Sequence, residues 1–258
     1  MAIDRQQEKM KSQSSLKALQ ILVCLAEKKD STSTISEVSN VTGLSPSTVH
    51  RILQELSECG FVQNNKVDHH YSLGFSSWSL AMKIKNQNFV IKIAYEEMLR
   101  LNDLSSETIH LMELEGDRGV YLEKIPTKYS IGLLSQVGGH FPLYCTAGGK
   151  SILSSQSDEW IEEYLSHVKF QKYTQNTIVD PNALREEIKN VRQQGYSIDD
   201  HEHHNDIVCV AVPIFQNSFN NHFAIGISAP DYRFSVDKAK TFVNELKESA
   251  SRIIQMLR

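Results

Sequence analysis

Cysteines are few in this chain. Four cysteines, Cys24, Cys59, Cys145 and Cys209, are scattered over 258 residues with no C-x-x-C pair. That argues against a disulfide framework and a cysteine zinc site, and predicts reduced, mostly buried thiols. Long apolar runs are also missing. Residues 1–13 are polar and mixed in charge, without the apolar core of a secretion signal, and no uninterrupted apolar run approaches the roughly eighteen residues of a spanning helix. The expectation is a cytoplasmic protein with no membrane partner. A basic excess is absent as well: 27 Lys and Arg stand against 31 Asp and Glu, a net charge of -4. Residues 1–75 carry eight of each sign and are less acidic than the remainder, so charge gives a nucleic-acid partner only weak support and the pattern has to decide. There is no internal repeat and no low-complexity tract. What is present, 40% hydrophobic and 22% charged residues, suits a globular protein long enough for two domains.

From Ser15, Leu16, Leu19, Leu22, Val23 and Ala26 recur at three- and four-residue steps, which predicts an amphipathic helix ended by the polar residues 28–33. Thr34-Ile35-Ser36-Glu37 has the form of a capping box and opens a short second helix through Val41. Thr42-Gly43-Leu44 reads as a tight turn, and Ser45-Pro46 as the N-cap and first residue of a third helix that runs to Cys59. Gly60 stops it. Phe61-Val62-Gln63 and Tyr71-Ser72-Leu73, on either side of a turn at Asn64-Asn65, read as a hairpin.

Two helices joined by a glycine turn have helix-turn-helix spacing, in which the N-terminal residues of the second helix enter the major groove. Val49, Ile52, Leu53 and Leu56 form its core face, leaving Ser47, Thr48, His50, Arg51 and Gln54 mostly outward, and no acid lies between residues 38 and 54 to repel phosphates. Arg51 suits a bidentate pair with guanine or phosphate, His50 and Gln54 suit base edges, and Ser45 and Ser47 suit phosphate near the helix N-terminus; the sequence does not apportion these roles. Lys66, with His69 and His70, would sit on the hairpin as a wing. The expected partner is double-stranded operator DNA. The bland alternative is a small packing module of capped helices.

Residues 76–85, with Trp78, Leu80, Ala81 and Ile84 as the apolar set, read as a linker helix. Three parts follow: a winged helix-turn-helix domain at 1–75, the linker at 76–88 and a larger domain at 89–258. In the last, Val90, Ile93, Ala94, Met98, Leu101 and Leu104 mark a long helix. Strands are expected at 108–114, 120–125, 130–134, 208–214 and 223–229, the last two around a loop at 216–221, and helices at 146–154, 158–166, 182–193 and from Ser235. Strands in adjacent pairs imply an α+β sheet with helices packed on it. Ala147-Gly148-Gly149-Lys150 falls at a loop-to-helix junction, where small residues let a ligand approach backbone N–H groups and the helix N-terminus favours an anion such as a carboxylate. A plain tight turn is the competing reading.

The runs Leu16-Lys17-Ala18-Leu19-Gln20-Ile21-Leu22, Gly43-Leu44-Ser45-Pro46-Ser47-Thr48-Val49-His50-Arg51-Ile52-Leu53 and Gly60-Phe61-Val62 strongly resemble the isocitrate lyase regulator (IclR) family of bacterial transcription factors. Further on and in the right order, Pro142-Leu143-Tyr144-Cys145-Thr146-Ala147-Gly148-Gly149-Lys150, Gly195-Tyr196-Ser197-Ile198-Asp199-Asp200 and Cys209-Val210-Ala211-Val212-Pro213-Ile214 look like that family's effector-domain signatures. The resemblance covers nearly the whole chain. It implies a winged helix-turn-helix joined by a helix to a GAF-like effector-binding domain, acting as a homodimer or dimer of dimers. It also implies a repressor of a catabolic operon controlled by a small organic acid, with no cofactor and no enzymatic activity. Thr108-Ile109-His110-Leu111 and Pro142-Leu143-Tyr144 look most like the sugar-acid subgroup, whose members include the 2-keto-3-deoxygluconate repressor. By the same resemblance Ala147, Gly148, Asp199, Cys209, Gly226 and Ser228 line the effector pocket. Two departures remove positive charge: Asp206-Ile207-Val208 stands where relatives often carry Gly-Leu-Arg, and Gly139-His140 where the sugar-acid regulators are arginine-rich. Both argue for an effector unlike the family's better-known ketoacids.

Three other readings compete. Asp199-Asp200-His201-Glu202-His203-His204 is the densest set of metal-ligating residue types, open to a metal-dependent enzyme, although the spacing is not H-E-x-x-H and the segment reads as a solvated loop. A nucleophile at Cys145 or Cys209 would need His110, His140 or His201 nearby, whereas Cys209 sits in an apolar run that reads as a buried strand. Finally, the larger domain is a candidate oligomerisation scaffold for a constitutive DNA binder, and a pocket beside Ala147 and Asp199 is the feature that separates sensor from scaffold.

Overall fold

The computed structural model describes residues 14–28, 32–65, 67–214 and 222–257, and divides into two compact units, Met1–Gln87 and Asn88–Arg258. The first begins with helices α1 (Ser14–Glu27), α2 (Ile35–Thr42) and α3 (Pro46–Glu58). Their apolar faces close on one core: Ile21 and Leu25 of α1, Val38 of α2 and Val49, Ile52 and Leu53 of α3, with Leu44 of the turn. Strands β1 (Val62–Asn65) and β2 (His70–Leu73) form the hairpin and add Val62 and Tyr71 to that core. Ser33 and Tyr71 exchange two backbone hydrogen bonds of 2.8 Å, a further rung beside β2.

The hairpin turn is displaced from its expected place. Asn64 and Asn65 belong to β1, and the chain reverses after Asn65, with His69 in the left-handed region at φ 56°. The Asn65 side chain accepts from the Val67 N–H and that of Asp68 from the His70 N–H, so the turn chemistry lies a few residues later than the Asn-Asn pair suggests. Helix α4 (Phe75–Gln87) follows and has no buried residue.

The second unit opens with α5 (Phe89–Ser105), capped by the Asn88 side chain. Then come β3 (Thr108–Glu115), β4 (Arg118–Ile125), β5 (His140–Pro142), α6 (Ala147–Ser154), α7 (Asp158–His167) and α8 (Pro181–Gln194). β6 (Ser197–Asp200), β7 (Ile207–Ile214), β8 (Phe223–Pro230), α9 (Val236–Thr241) and α10 (Val243–Met256) complete it. The six strands form one antiparallel sheet in the order β5-β4-β3-β8-β7-β6. Strand alternation sorts the two faces. Ile109 and Leu111 of β3, Val208, Val210 and Val212 of β7 and Ile225 and Ile227 of β8 share a core with Met98 and Leu101 of α5 and Leu246 and Ile253 of α10. Each such side chain contributes roughly 1.5–3 kcal/mol by leaving water. On the other face Met112, Ala211 and Ala224 join a second core with Ile152 of α6, Tyr164 of α7 and Leu184 and Ile188 of α8.

Residues 130–134 do not form the expected strand. They belong to a long connection between β4 and β5, whose carbonyls bond to side-chain cations: Lys124 Nζ donates to Leu133 O (2.8 Å) and Ser135 O (2.6 Å), and Arg233 Nη2 to Ile131 O (2.9 Å). The actual strand in this region, β5, is only three residues long. Nor is the Asp199 to His204 segment wholly loop, since Asp199 and Asp200 end β6. The expected loop at 216–221 lies outside the described residues. Among the described residues no helix is long and apolar enough to cross a membrane.

Candidate nucleic-acid interface and ligand cavity

The α2-turn-α3 segment is held by local bonds that its sequence prescribes. Thr34 and Glu37 form both halves of the capping box. Gly43 ends α2 at φ 68°; a Cβ there would meet nothing within 4 Å, so the backbone angle and not space calls for glycine. Ser45 caps α3, accepting from the Thr48 N–H at 3.3 Å, and Pro46 occupies its first turn. Ser47, His50, Arg51 and Gln54 lie at i, i+3, i+4 and i+7, one helix face, and all four are exposed. Ser45 at the tip is exposed and Thr48 half-buried; their hydroxyls lie 2.8 Å apart. Arg51 pairs with Glu55 at 2.5 Å, both side chains more than half exposed. That acid lies just beyond the acid-free stretch. Lys66 lies outside the described residues.

All six residues assigned to the second unit's pocket line one cavity of about 440 Å³. Ala147 and Gly148 come from the first turn of α6, Asp199 from β6, Cys209 from β7, and Gly226 and Ser228 from β8. The antiparallel registers bring them together: Asp199 stands opposite Cys209, Cys209 opposite Ser228, and Gly226 opposite His110 of β3. The glycines pack tightly. A Cβ on Gly148 would fall 2.1 Å from Met112 Sδ, and one on Gly149 would fall 2.4 Å from the Leu143 backbone. These residues are therefore glycine because α6 lies against β3 and the Leu143 segment, a closer account than room left for a ligand.

The cavity's electrostatics are those of buried, mostly neutral groups. Burial, and then repulsion from Glu202, push the Asp199 carboxyl up to about 7, although the backbone N–H groups of Glu202 (2.7 Å) and His203 (3.4 Å) donate to its Oδ1. His110 is held neutral, its pKa lowered to about 3 by burial and by Lys124; His203 is lowered to about 4 by burial and by His204. Burial pushes the Tyr121 phenol and the Cys209 thiol far above their ordinary ranges. His110 Nε2 lies 2.8 Å from Ser135 Oγ, which ties the β4–β5 connection over the cavity as a roof including Leu133 and Leu134. Tilted rings of His110, Tyr121 and Phe141, with successive centroids 4.6 Å apart, make one wall.

The chain matches two family models, one described as the IclR helix-turn-helix domain over residues 14–66, the other as the bacterial transcriptional regulator IclR C-terminal domain over residues 82–255. It belongs to the IclR family. The HTH-type transcriptional regulator KdgR of Dickeya chrysanthemi is 34% identical over 251 residues, 97% of this chain and 81% of that protein. The crystal structure of IclR from Thermotoga maritima, 31% identical, superposes with a TM-score of 0.75 over 93% of this chain and 97% of that one. An IclR homologue from Microbacterium hydrocarbonoxydans, crystallised with 4-hydroxybenzoate, shares the fold at 24% identity and a TM-score of 0.78, covering 93% and 99% of the two chains. Like other members of the IclR family, this protein is a DNA-binding transcriptional regulator.

Within that family frame the competing sites come apart. Among the described residues no group of three or more His, Cys, Asp or Glu is arranged to hold a metal. Asp199 faces the cavity. Asp200 and Asp231 flank His201 at 2.6 and 3.3 Å, and Glu202 turns to Lys150. His203 and His204 reach the cavity, where their rings stack edge to face. Both candidate nucleophiles are thiols that burial makes harder to ionise. Sequence reasoning missed His110, Tyr121, Phe141, His203 and His204 as cavity walls. It also missed the ion pairs behind them, where fully buried Lys150 contacts Glu202 and reaches Glu187 at 3.0 Å. The alternation of β3 was the available signal: with Ile109 and Leu111 in one core, His110 must face the other way.

Proposed function

We propose that this regulator is a ligand-controlled repressor of a catabolic operon, and that its effector, a small sugar-derived organic acid, occupies the cavity lined by Ala147, Gly148, Asp199, Cys209, Gly226 and Ser228. One observation carries the reading. Those residues, drawn from three strands and the start of α6, border an open volume of about 440 Å³ where a scaffold would have a filled core. The organic acid bound to the Microbacterium relative supports the ligand class. On the DNA side Ser45, Ser47, Thr48, His50, Arg51, Gln54 and Lys66 meet the operator. Two chains act together as a dimer or dimer of dimers, a reading supported by the open apolar side chains Phe75, Trp78 and Ile84 on α4. Cytoplasmic location and the lack of a catalytic role complete this reading.

The test is a thermal-shift screen of purified protein against sugar acids, ketoacids and aromatic acids, repeated on Asp199→Ala. A ligand at a hundred times its Kd stabilises the native state by about 2.7 kcal/mol, enough to raise the melting temperature by several degrees. The expected result is a hit that disappears in Asp199→Ala while operator affinity persists. A variant that still responds normally would remove Asp199 from the site, and silence across the panel would favour the scaffold.

A further inference from the structure

We propose that the cavity takes up a monocarboxylic acid together with one proton from solvent, held by Asp199, and that Asp199 thereby selects monoacids over diacids. The inference rests on the reading above that this cavity is the effector site, and its starting point is what the cavity wall lacks. Among the described residues no Lys or Arg lines it. A carboxylate that enters meets Asp199 and no side-chain cation.

The groups that face Asp199 from each neighbouring element leave that imbalance standing. On β3 and β4, His110 and Tyr121 are held neutral by burial. On β7 and before α6, Cys209 and Cys145 are held as thiols for the same reason. In the loop after β6, His203 is held neutral and His204 stacks on it. Of the nearby cations, Lys150 of α6 is committed to Glu202 and Glu187, and Lys124 of β4 donates to the Leu133 and Ser135 carbonyls of the roof; His140 of β5, also on the wall, pairs with Glu115. Glu202 is itself buried beside Asp199; burial raises its carboxyl and Lys150 lowers it. With Asp199 ionised, three carboxylates share one ammonium before any ligand arrives. The N-terminus of α6 adds only about half a positive charge, enough to orient one anion and too little for two.

Size fixes how strongly ligand and Asp199 interact. A sphere of the cavity's volume is about 9 Å across, so a ligand carboxylate has to lie within roughly that distance of Asp199. At about 7 Å and an effective dielectric of about 20, repulsion between two carboxylates weakens binding roughly fifty-fold, and one proton on the pair removes it. The Asp199 carboxyl, already at about 7, is placed to supply that proton site near neutrality. The bound anion raises the Asp199 pKa above its value in the empty cavity. Binding therefore takes up a proton and weakens as pH rises from about 7, levelling off below about 6. The carboxyl of a sugar acid or aromatic acid is ionised throughout pH 6–9 and adds no slope of its own.

The experiment is isothermal titration calorimetry of the full chain between pH 6 and 9, in buffers of unlike ionisation enthalpy. The monoacid probes are 2-keto-3-deoxygluconate, galacturonate and 4-hydroxybenzoate, and the diacid probe is galactarate. The expected result is a monoacid whose affinity falls roughly thirty-fold from pH 6 to 9, with uptake of about 0.7 proton at pH 8 and far weaker galactarate binding. Asp199→Asn keeps an oxygen to accept from Glu202 and His203. It should flatten the profile to within about threefold and abolish the uptake. A monoacid that binds wild-type protein with no proton uptake and no pH dependence would overturn the proposal and leave the effector reading intact; so would an unchanged slope in Asp199→Asn. Galactarate bound as tightly as the monoacids at pH 8 would overturn the selectivity. No binding by any probe at pH 6, where it should be tightest, would overturn both readings.

Discussion

Arg51 on the outer face of α3 and Lys150 beneath the cavity are both cations paired with glutamate, and their surroundings make them different objects. The Arg51 side chain is 55% exposed and so is that of Glu55. Such a pair contributes well under 1 kcal/mol, so the Arg51 guanidinium can leave the carboxylate at little cost, as the proposed contact with DNA requires. The Lys150 side chain is 2% exposed and that of Glu202 8%, with Glu202 Oε2 buried and unbonded. There the charges cannot be parted without stranding one of them away from water. The comparison teaches that the exposed face of α3 carries charges the fold does not depend on, whereas the charges buried beneath the cavity hold the second unit together.

Three substitutions probe that division, read in two single-tryptophan backgrounds, one keeping Trp78 of the first unit and the other Trp160 of the second. Lys150→Met should have the largest effect, costing about 3–5 kcal/mol of the second unit's stability because Glu202 loses its counter-ion. Urea unfolding followed through Trp160 should move to much lower denaturant, while the transition seen through Trp78 holds its place; equal movement of both would show that the units unfold as one and break the comparison. Arg51→Ala should weaken operator binding by roughly 1–3 kcal/mol in fluorescence anisotropy and leave both unfolding transitions and ligand affinity alone. Unchanged operator affinity would take Arg51 out of the interface. Thr34→Ala removes one half of the capping box and should cost the first unit about 1 kcal/mol, visible through Trp78 and absent through Trp160.

How far each region was legible in the sequence follows from the range of the interactions that build it. The turn and α3 are made by residues within a few positions of one another, so Gly43, the Ser45-Pro46 cap and the outward Ser47, His50, Arg51 and Gln54 could be read directly. The cavity depends on registers between distant strands. The alternation of β3 turns His110 away from Ile109 and Leu111, but the residue it stands opposite, Gly226, lies more than a hundred residues later, and Tyr121 meets Met112 only because the register shifts between Leu111 and Met112. Local pattern pointed to Ala147 and Gly148, and resemblance to a known family supplied Asp199, Cys209, Gly226 and Ser228, where pattern was silent. The apolar run at 130–134 misled because period and propensity cannot tell a carbonyl that bonds to a neighbouring strand from one that bonds to Lys124 or Arg233. The Lys150 and Glu202 pair was hidden for a related reason: its members are fifty-two residues apart and each alone looks like a surface charge.

The pairing of β3 with β8 also sets an order in time. The core of the first unit is complete once Tyr71 has been made, but β3 waits for its central neighbour until Phe223 to Pro230 emerges. At ordinary ribosomal speeds that gap lasts roughly ten to thirty seconds. A nascent chain thus finishes the core of its helix-turn-helix well before the strands that border the cavity can meet.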